Sequence, residues 1–256
     1  MIKSVETLRR GLQILSLVER QGPISQADIA RETGLPKTVV HRLLHTLAAE
    51  GYARVAMGDQ LWRATGGPTH PPMAGSAEAL SCAAAPVLEA LCGTVFWPSD
   101  VSTYADGAMR IVEHTRRNTP FVISRFVAPR IPVLQSGCGR ALLAWASPER
   151  LAQILREVAA SSHPRDALAR DQAKVERLLD ETRARGYANR DPLLFGKARR
   201  SARISEVALP ILSGGHAIAS INLCWATSAM SEAEFVQENL EFLRSAAAEI
   251  SETLES

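Results

Sequence analysis

Four cysteines (82, 92, 138, 224) and six histidines (41, 45, 70, 114, 163, 216) are the residues of this chain best suited to covalent or metal chemistry. Their spacing assembles neither. A thiol nucleophile at Cys138 needs an activating base, and no histidine lies in a companion motif. Metal-ligand spacing, a P-loop and a G-x-S-x-G turn are all missing. The sequence therefore predicts no catalytic set, no metal site and no cofactor. With no close C-x-x-C pair, free thiols in a reducing compartment are expected. Binding chemistry is better represented. Ser136-Gly137-Cys138-Gly139 precedes a helical pattern, and the free amides of Gly137 and Cys138 would suit a carboxylate. A tight strand-to-helix turn that needs glycine is the other reading of those residues. Asn222 and Cys224 alternate in INLCW and so share one strand face. A buried Asn222 must find a partner, either a ligand or a loop backbone. Glu206, in EVALPIL, either lines the same pocket or sits exposed at a sheet edge.

A second group of polar residues lies in the stretch from Ile24 to Tyr52. Lys37, Thr38, His41, Arg42 and His45 share one face of a helix read over Pro36–Ala49. Val39, Val40, Leu43, Leu44 and Leu47 form the opposite stripe. Ahead of it a shorter helix carries Ile24, Ala27, Ile29 and Ala30 on its apolar side. Ser25 caps its start and Gly34 ends it. Pro36 opens the second helix, where a missing N–H costs nothing. Two helices and a tight turn make either an ordinary helical hairpin or a helix–turn–helix whose polar N-terminal half enters a DNA major groove. Ala53-Arg54-Val55 and Leu61-Trp62-Arg63, around Met57-Gly58-Asp59-Gln60, read as a β-hairpin, which would be a wing. Lys37, Thr38, His41 and Arg42 are then candidates for base edges or phosphates. Ser25 and Gln26 would anchor phosphates, and Pro36 and Arg54 complete the candidate surface.

The elements that must position these residues follow from the rest of the chain. Its 256 residues suffice for two domains, and 46% hydrophobic with 22% charged residues is a globular composition. No apolar run reaches a membrane span and MIKSVETLRRG lacks a signal core, so a cytoplasmic protein is expected. Net charge is +2, and residues 1–63 carry nine Lys/Arg against six Asp/Glu, a weak basic footprint in the right place. Val5, Leu8, Leu12, Leu15 and Val18 predict a third helix closing the head's core, capped by Thr7 or Ser4. Residues 1–65 are thus read as a winged helix–turn–helix and 66–92 as a linker, rich in Gly and Pro to Gly75, with a linker helix from Ser76 to Leu91. Pro86 predicts a kink or a restart there. Residues 93–256 read as α+β: an antiparallel sheet flanked by helices. Strands are expected at 101–104, 109–113, 121–126, 133–134, 204–212 and 217–225. Ala128-Pro129-Arg130 reads as a turn, and helices are expected at 140–146, 148–159, 171–185 and 231–254.

The chain resembles the IclR-type bacterial transcriptional regulators over nearly its whole length. The resemblance is carried by RGLQILSLVE, GLPKTVVHRLLHTLAAEGY, IPVLQSGCGRALLAW, ERLLDETRARGYANRD and EVALPILSGGHAIASINLCW, in that order. VFWPSDVSTYADGAMRIVEHT and IASINLCWATSAMS look most like the MhpR-type branch, activators for breakdown of hydroxyphenylpropionate-like aromatic acids. The resemblance implies a GAF-like effector-binding body, a homodimer or homotetramer on a double-stranded DNA operator with paired half-sites, and a small organic acid effector. By position it places loop amides at Gly137 and Cys138 and pocket polar groups at Asn222 and Cys224. An acidic pocket group falls at Asp191. Glu206 stands near a family cysteine, a departure, and LLFGKARRSAR is longer and more basic than the family pattern. Asn and Cys where small hydroxyls are common imply a ligand other than a two-carbon keto acid. The rival reading is a thiol sensor or enzyme built on Cys138, with the head serving oligomerisation.

Overall fold

Ser25 and Gly34 set the ends of the second helix as local chemistry requires. In a computed structural model that describes residues 4–67, 73, 75–116, 130–192, 194 and 204–255, the Ser25 side chain accepts the Asp28 N–H at 3.1 Å. Gly34 turns out of α2 (Gln26–Thr33) in the left-handed region, φ 68°. The third helix, α3 (Lys37–Ala49), starts one residue later than expected, with Pro36 as its N-cap in extended backbone. Val40 and Leu44 are fully buried, and Leu43 and Leu47 pack at the margin. Ala27 is exposed, so the apolar side of α2 is Ile29 and Ala30 with Ile24 ahead of it.

The first helix, α1 (Glu6–Gln21), turns a different face inward from the one its periodicity suggested. Gly11, Ile14, Leu17 and, from the expected stripe, Val18 are buried and Leu15 is half-buried, whereas Val5, Leu8 and Leu12 stand 66%, 61% and 55% exposed. Both stripes have helical spacing. Packing decides between them: Ile14, Leu17 and Val18 join the core that α2, α3 and the wing complete. Neither Ser4 nor Thr7 caps the helix; Val5 is the N-cap and makes no side-chain bond. The wing follows as β1 (Ala53–Val55) paired antiparallel with β2 (Trp62–Ala64). Asp59 braces it, accepting the Leu61 N–H at 2.9 Å and pairing with Arg63 at 2.6 Å. Backbone bonds between Ile24 and Trp62 tie the wing to the entry of α2.

The chain divides into two compact units, Met1–Ala79 and Leu80–Ser256. In the second, α4 (Ala77–Thr94) buries Leu80, Ala84, Val87, Leu88 and Leu91. It continues through Pro86, which lies on the exposed side, rather than restarting there. A five-stranded antiparallel sheet runs in the order β4-β3-β7-β6-β5, with β3 Ser99–Ala105, β4 Ala108–His114, β5 Ala188–Asn189, β6 Ile204–Ser213 and β7 His216–Ala226. Asp106 and Gly107, at φ 51° and 75°, close the β3–β4 hairpin as an Asp-Gly turn should. The two-residue β5 was not expected. Val133 and Leu134 are buried in a turn instead of forming a strand, their side chains filling the core under α5 (Gly137–Trp145). The strand expected at 121–126 and the turn residues Ala128-Pro129 lie outside the described residues.

The remaining helices are α6 (Pro148–Ala160), a 3-10 helix (Pro164–Arg170), α7 (Gln172–Arg185) and α8 (Glu232–Glu255). Ser147 caps α6 through the Arg150 N–H at 3.2 Å. Ser231 and Glu234 form a reciprocal capping box on α8, at 3.3 and 2.8 Å. No helix among the described residues is long and apolar enough to cross a membrane.

Candidate functional site

In the head, the exposed side of α3 carries Lys37, Thr38, His41 and Arg42. Its buried side holds the surface in place through Val40 and Leu44. Polar and aromatic contacts position the rest. Gln26 donates from Nε2 to the Lys37 carbonyl at 3.4 Å, and its Oε1 lies 3.3 Å from His41 Nδ1. The His41 and His45 rings meet edge-on at 4.2 Å, and His45 meets Trp62 of the wing at 5.8 Å. Gln26 is therefore a brace between α2 and α3 as well as a phosphate candidate. Ser25 is engaged as the α2 cap and also donates to Asp28 Oδ2 at 2.6 Å. That hydroxyl, first, and Arg31 hold the Asp28 carboxyl below its ordinary range. Arg54 is half-buried on β1, opposite Arg63. Helical spacing places His45 on the polar face; its contact with Trp62 of the wing follows only from the tertiary fold.

In the body, strand register creates a buried polar face. Asp100 pairs with Asn222, Ser102 with Ser220, and Glu206 with Cys224, so side chains of all six project to one side. The alternate residues Val101, Val207, Leu209, Ile221, Leu223 and Trp225 project to the other side, where α8 packs. Helix α5 covers the polar face, and its start is not a loop: Gly137, Cys138 and Gly139 form the first helical turn, capped by Ser136. The two glycines have different reasons. A side chain at Gly139 would collide with the Val133 carbonyl, which is the tight-turn requirement. A Cβ at Gly137 would stand 2.7 Å from Glu206 Oε1, so this glycine admits the approaching carboxylate.

Glu206 is buried, not at an exposed edge. Its Oε1 accepts the Gly137 N–H, and its Oε2 accepts Asn222 Nδ2 at 3.2 Å. The same Asn222 nitrogen lies 3.1 Å from Cys138 Sγ, and Cys224 Sγ is 4.0 Å from Glu206 Oε2. Asn222 Oδ1 accepts the Asp100 N–H at 2.9 Å. Five of the six expected body residues thus meet at one place: Gly137, Cys138, Glu206, Asn222 and Cys224. Asp191 is half-buried, and its N–H donates to the Gln135 carbonyl at 2.8 Å, bracing the turn into α5.

The structure adds charged residues the sequence reading missed. Arg116 forms a bidentate pair with Asp100 at 2.7 and 2.5 Å. Burial opposes the Arg116 charge, but Asp100 more than offsets this and holds the guanidinium above its ordinary value. Arg140 and Arg190 are buried as well. Arg140 donates to the carbonyls of Leu134 at 2.8 Å and Asn189 at 3.0 Å. The alternation in SDVS could have placed Asp100 and Ser102 on one face; nothing local marks Arg116. Burial, and after it the Glu206 carboxylate, push the Cys138 thiol well up; burial and then Asp100 do the same to Cys224. That is the opposite of an activated nucleophile. The Ser102 hydroxyl, close enough to Cys138 to act against this shift, is fully buried and makes no hydrogen bond of acceptable geometry.

Comparison with known proteins matches both units. The IclR helix-turn-helix domain model matches residues 7–56, and the bacterial transcriptional regulator IclR C-terminal model matches residues 76–252. The HTH-type transcriptional regulator BhcR of Paracoccus denitrificans (strain Pd 1222) is 30% identical over 235 residues, 90% of this chain and 80% of the relative. An IclR homolog from Microbacterium sp. strain HM58-2 shares the fold at TM-score 0.55 and 22% identity, covering 98% of each chain. Another, from Microbacterium hydrocarbonoxydans and complexed with 4-hydroxybenzoate, does so at TM-score 0.51 and 23% identity, covering 97% of this chain and 99% of that one. With a DNA-binding helix–turn–helix ahead of an effector-binding C-terminal domain, the chain belongs to the IclR family of bacterial transcriptional regulators.

Proposed function

We propose that this regulator reads its operator with Lys37, Thr38, His41 and Arg42 of α3, and controls a catabolic operon for aromatic, hydroxyphenylpropionate-like acids. The observation that carries the DNA assignment is the exposed polar face of α3 backed by fully buried Val40 and Leu44. A helix held from behind in this way can lay its N-terminal half in a major groove without losing its core. Ser25 and Gln26 at the start of α2, Pro36 ahead of α3 and Arg54 on the wing border the same surface and contact the phosphate backbone. The effector sits against the polar face of the body, among Gly137, Cys138, Asp191, Glu206, Asn222 and Cys224. A buried polar sheet face under a helix supports that assignment, and so does the 4-hydroxybenzoate complex of the Microbacterium hydrocarbonoxydans homolog. Effector shifts DNA affinity to the extent that it binds one conformation better than another.

Purified protein is expected to retain fragments of its own promoter at low ionic strength, with affinity falling steeply as salt rises. Aromatic acids are expected to change that affinity. Failure to retain promoter DNA with and without such acids overturns the reading.

The exposed Val5, Leu8 and Leu12 stripe supports a homodimer in which α1 of one copy packs against another. Leu12→Glu is expected to shift the protein toward monomer in sedimentation velocity while leaving its helical content intact. A sedimentation profile identical to the unaltered protein would remove α1 from the interface.

A further inference from the structure

The amides that open α5 are a ready seat for an anion. In this chain the seat is taken. The Glu206 carboxylate accepts the Gly137 N–H, and Gly137 has no side chain where one would strike the carboxylate. Glu206 is 7% exposed and comes from β6, far along the chain, so the arrangement is built by the tertiary fold rather than by a flexible surface acid.

Three arginines lie around this face, Arg116 half-buried and Arg140 and Arg190 buried. Arg116 is already held in a bidentate pair by Asp100, and Arg140 is spent on the carbonyls of Leu134 and Asn189. Asn222 divides its amide hydrogens between Glu206 and Cys138. Ser102, fully buried on the same sheet face, makes no hydrogen bond of acceptable geometry. At the α5 amides themselves a second carboxylate would have to displace Glu206 or face it at close range, and is disfavoured there against a donor. A hydroxyl or amine is not: it donates to the acceptor oxygens of Glu206.

We propose that Glu206 is a specificity-determining residue, a built-in carboxylate that occupies the α5 seat and selects organic acids whose far end carries a hydrogen-bond donor. The proposal rests on the effector reading above and names the ligand class for that site. A hydrogen bond to a charged group typically changes affinity by about 10- to 100-fold. Hydroxylated or aminated acids should outrank their unsubstituted parent by about that factor.

The test is calorimetric titration of the full-length protein and two variants, Glu206→Ser and Glu206→Gln, with benzoate, 4-hydroxybenzoate and 4-aminobenzoate. Far-UV circular dichroism and the melting midpoint establish that each variant is folded. The unaltered protein is expected to bind one or both substituted acids about 10- to 100-fold more tightly than benzoate; which of the two leads tells hydroxyl from amine. Glu206→Ser, with the seat vacated, is expected to gain benzoate binding by a similar factor. Glu206→Gln keeps the side-chain shape, covers the case in which the serine variant does not fold, and is expected to lose the preference for donors. Equal binding of all three acids, unchanged in both variants, overturns the proposal. Should the unaltered protein bind none of them, the aromatic-acid reading fails, yet the variants still decide this inference: benzoate binding gained on removing the carboxylate supports it, and none gained overturns it.

Discussion

Arg42→Ala is expected to weaken operator binding about 10- to 100-fold at fixed salt, the roughly 1–3 kcal/mol of a specific guanidinium contact to a base. Arg42 stands on the exposed side of α3, one turn beyond Lys37 and Thr38, and the buried side of the same turn is Val40 and Leu44. The substitution removes reach and charge without touching the core, so the melting midpoint should move little. Two measurements separate the possible roles. A base contact relaxes sequence preference at one operator position; a phosphate contact weakens all sequences alike and lowers the salt slope by about one. Arg31→Ala is the natural control, because Arg31 is paired at 2.6 Å with Asp28 on α2 and stands outside the proposed contact set. Unchanged affinity in Arg42→Ala would remove that residue from the recognition surface.

Phe235→Ala is expected to cost the body about 3–5 kcal/mol, against a typical total of roughly 5–15 kcal/mol for a domain. Phe235 is 1% exposed and stacks on Trp225 at 3.9 Å with an interplanar angle of 11°, while Trp97 meets it edge-on at 6.0 Å. Removing the ring takes from the apolar face of the sheet its aromatic contact with the start of α8 and leaves a cavity against Trp225. Denaturant unfolding followed by near-UV circular dichroism should show the midpoint of the body falling sharply. The head has its own core, built from α1, α2, α3 and the wing, and is not expected to share in the loss. A loss below about 1 kcal/mol would show that α8 is not anchored by this stack.

Much of the head was legible because its determinants are local. A capping serine, a left-handed glycine and apolar residues at spacing three and four act within a few residues of each other, and Ser25, Gly34, Val40 and Leu44 do in the structure what their types require. The misreading of α1 has an equally physical origin. That helix has two apolar stripes, and spacing cannot say which one faces the head's core; only the packing of Ile14, Leu17 and Val18 with residues of α2, α3 and the wing does. Val133 and Leu134 show the same limit in another form, since a short buried apolar run satisfies a turn beneath a helix as well as a strand.

The sequence by itself determined the class of the molecule: a winged helix–turn–helix ahead of an α+β body with an antiparallel sheet, because periodicity, caps and turn residues are short-range properties. Only the tertiary structure decided the chemistry of the body's polar face. Glu206 and Gly137 are 69 residues apart, and Arg116 finds Asp100 across 16. No local pattern joins them. Strand register and the close approach that a glycine permits bring them together, and what they become there is set by burial, where each donor and acceptor must find a partner.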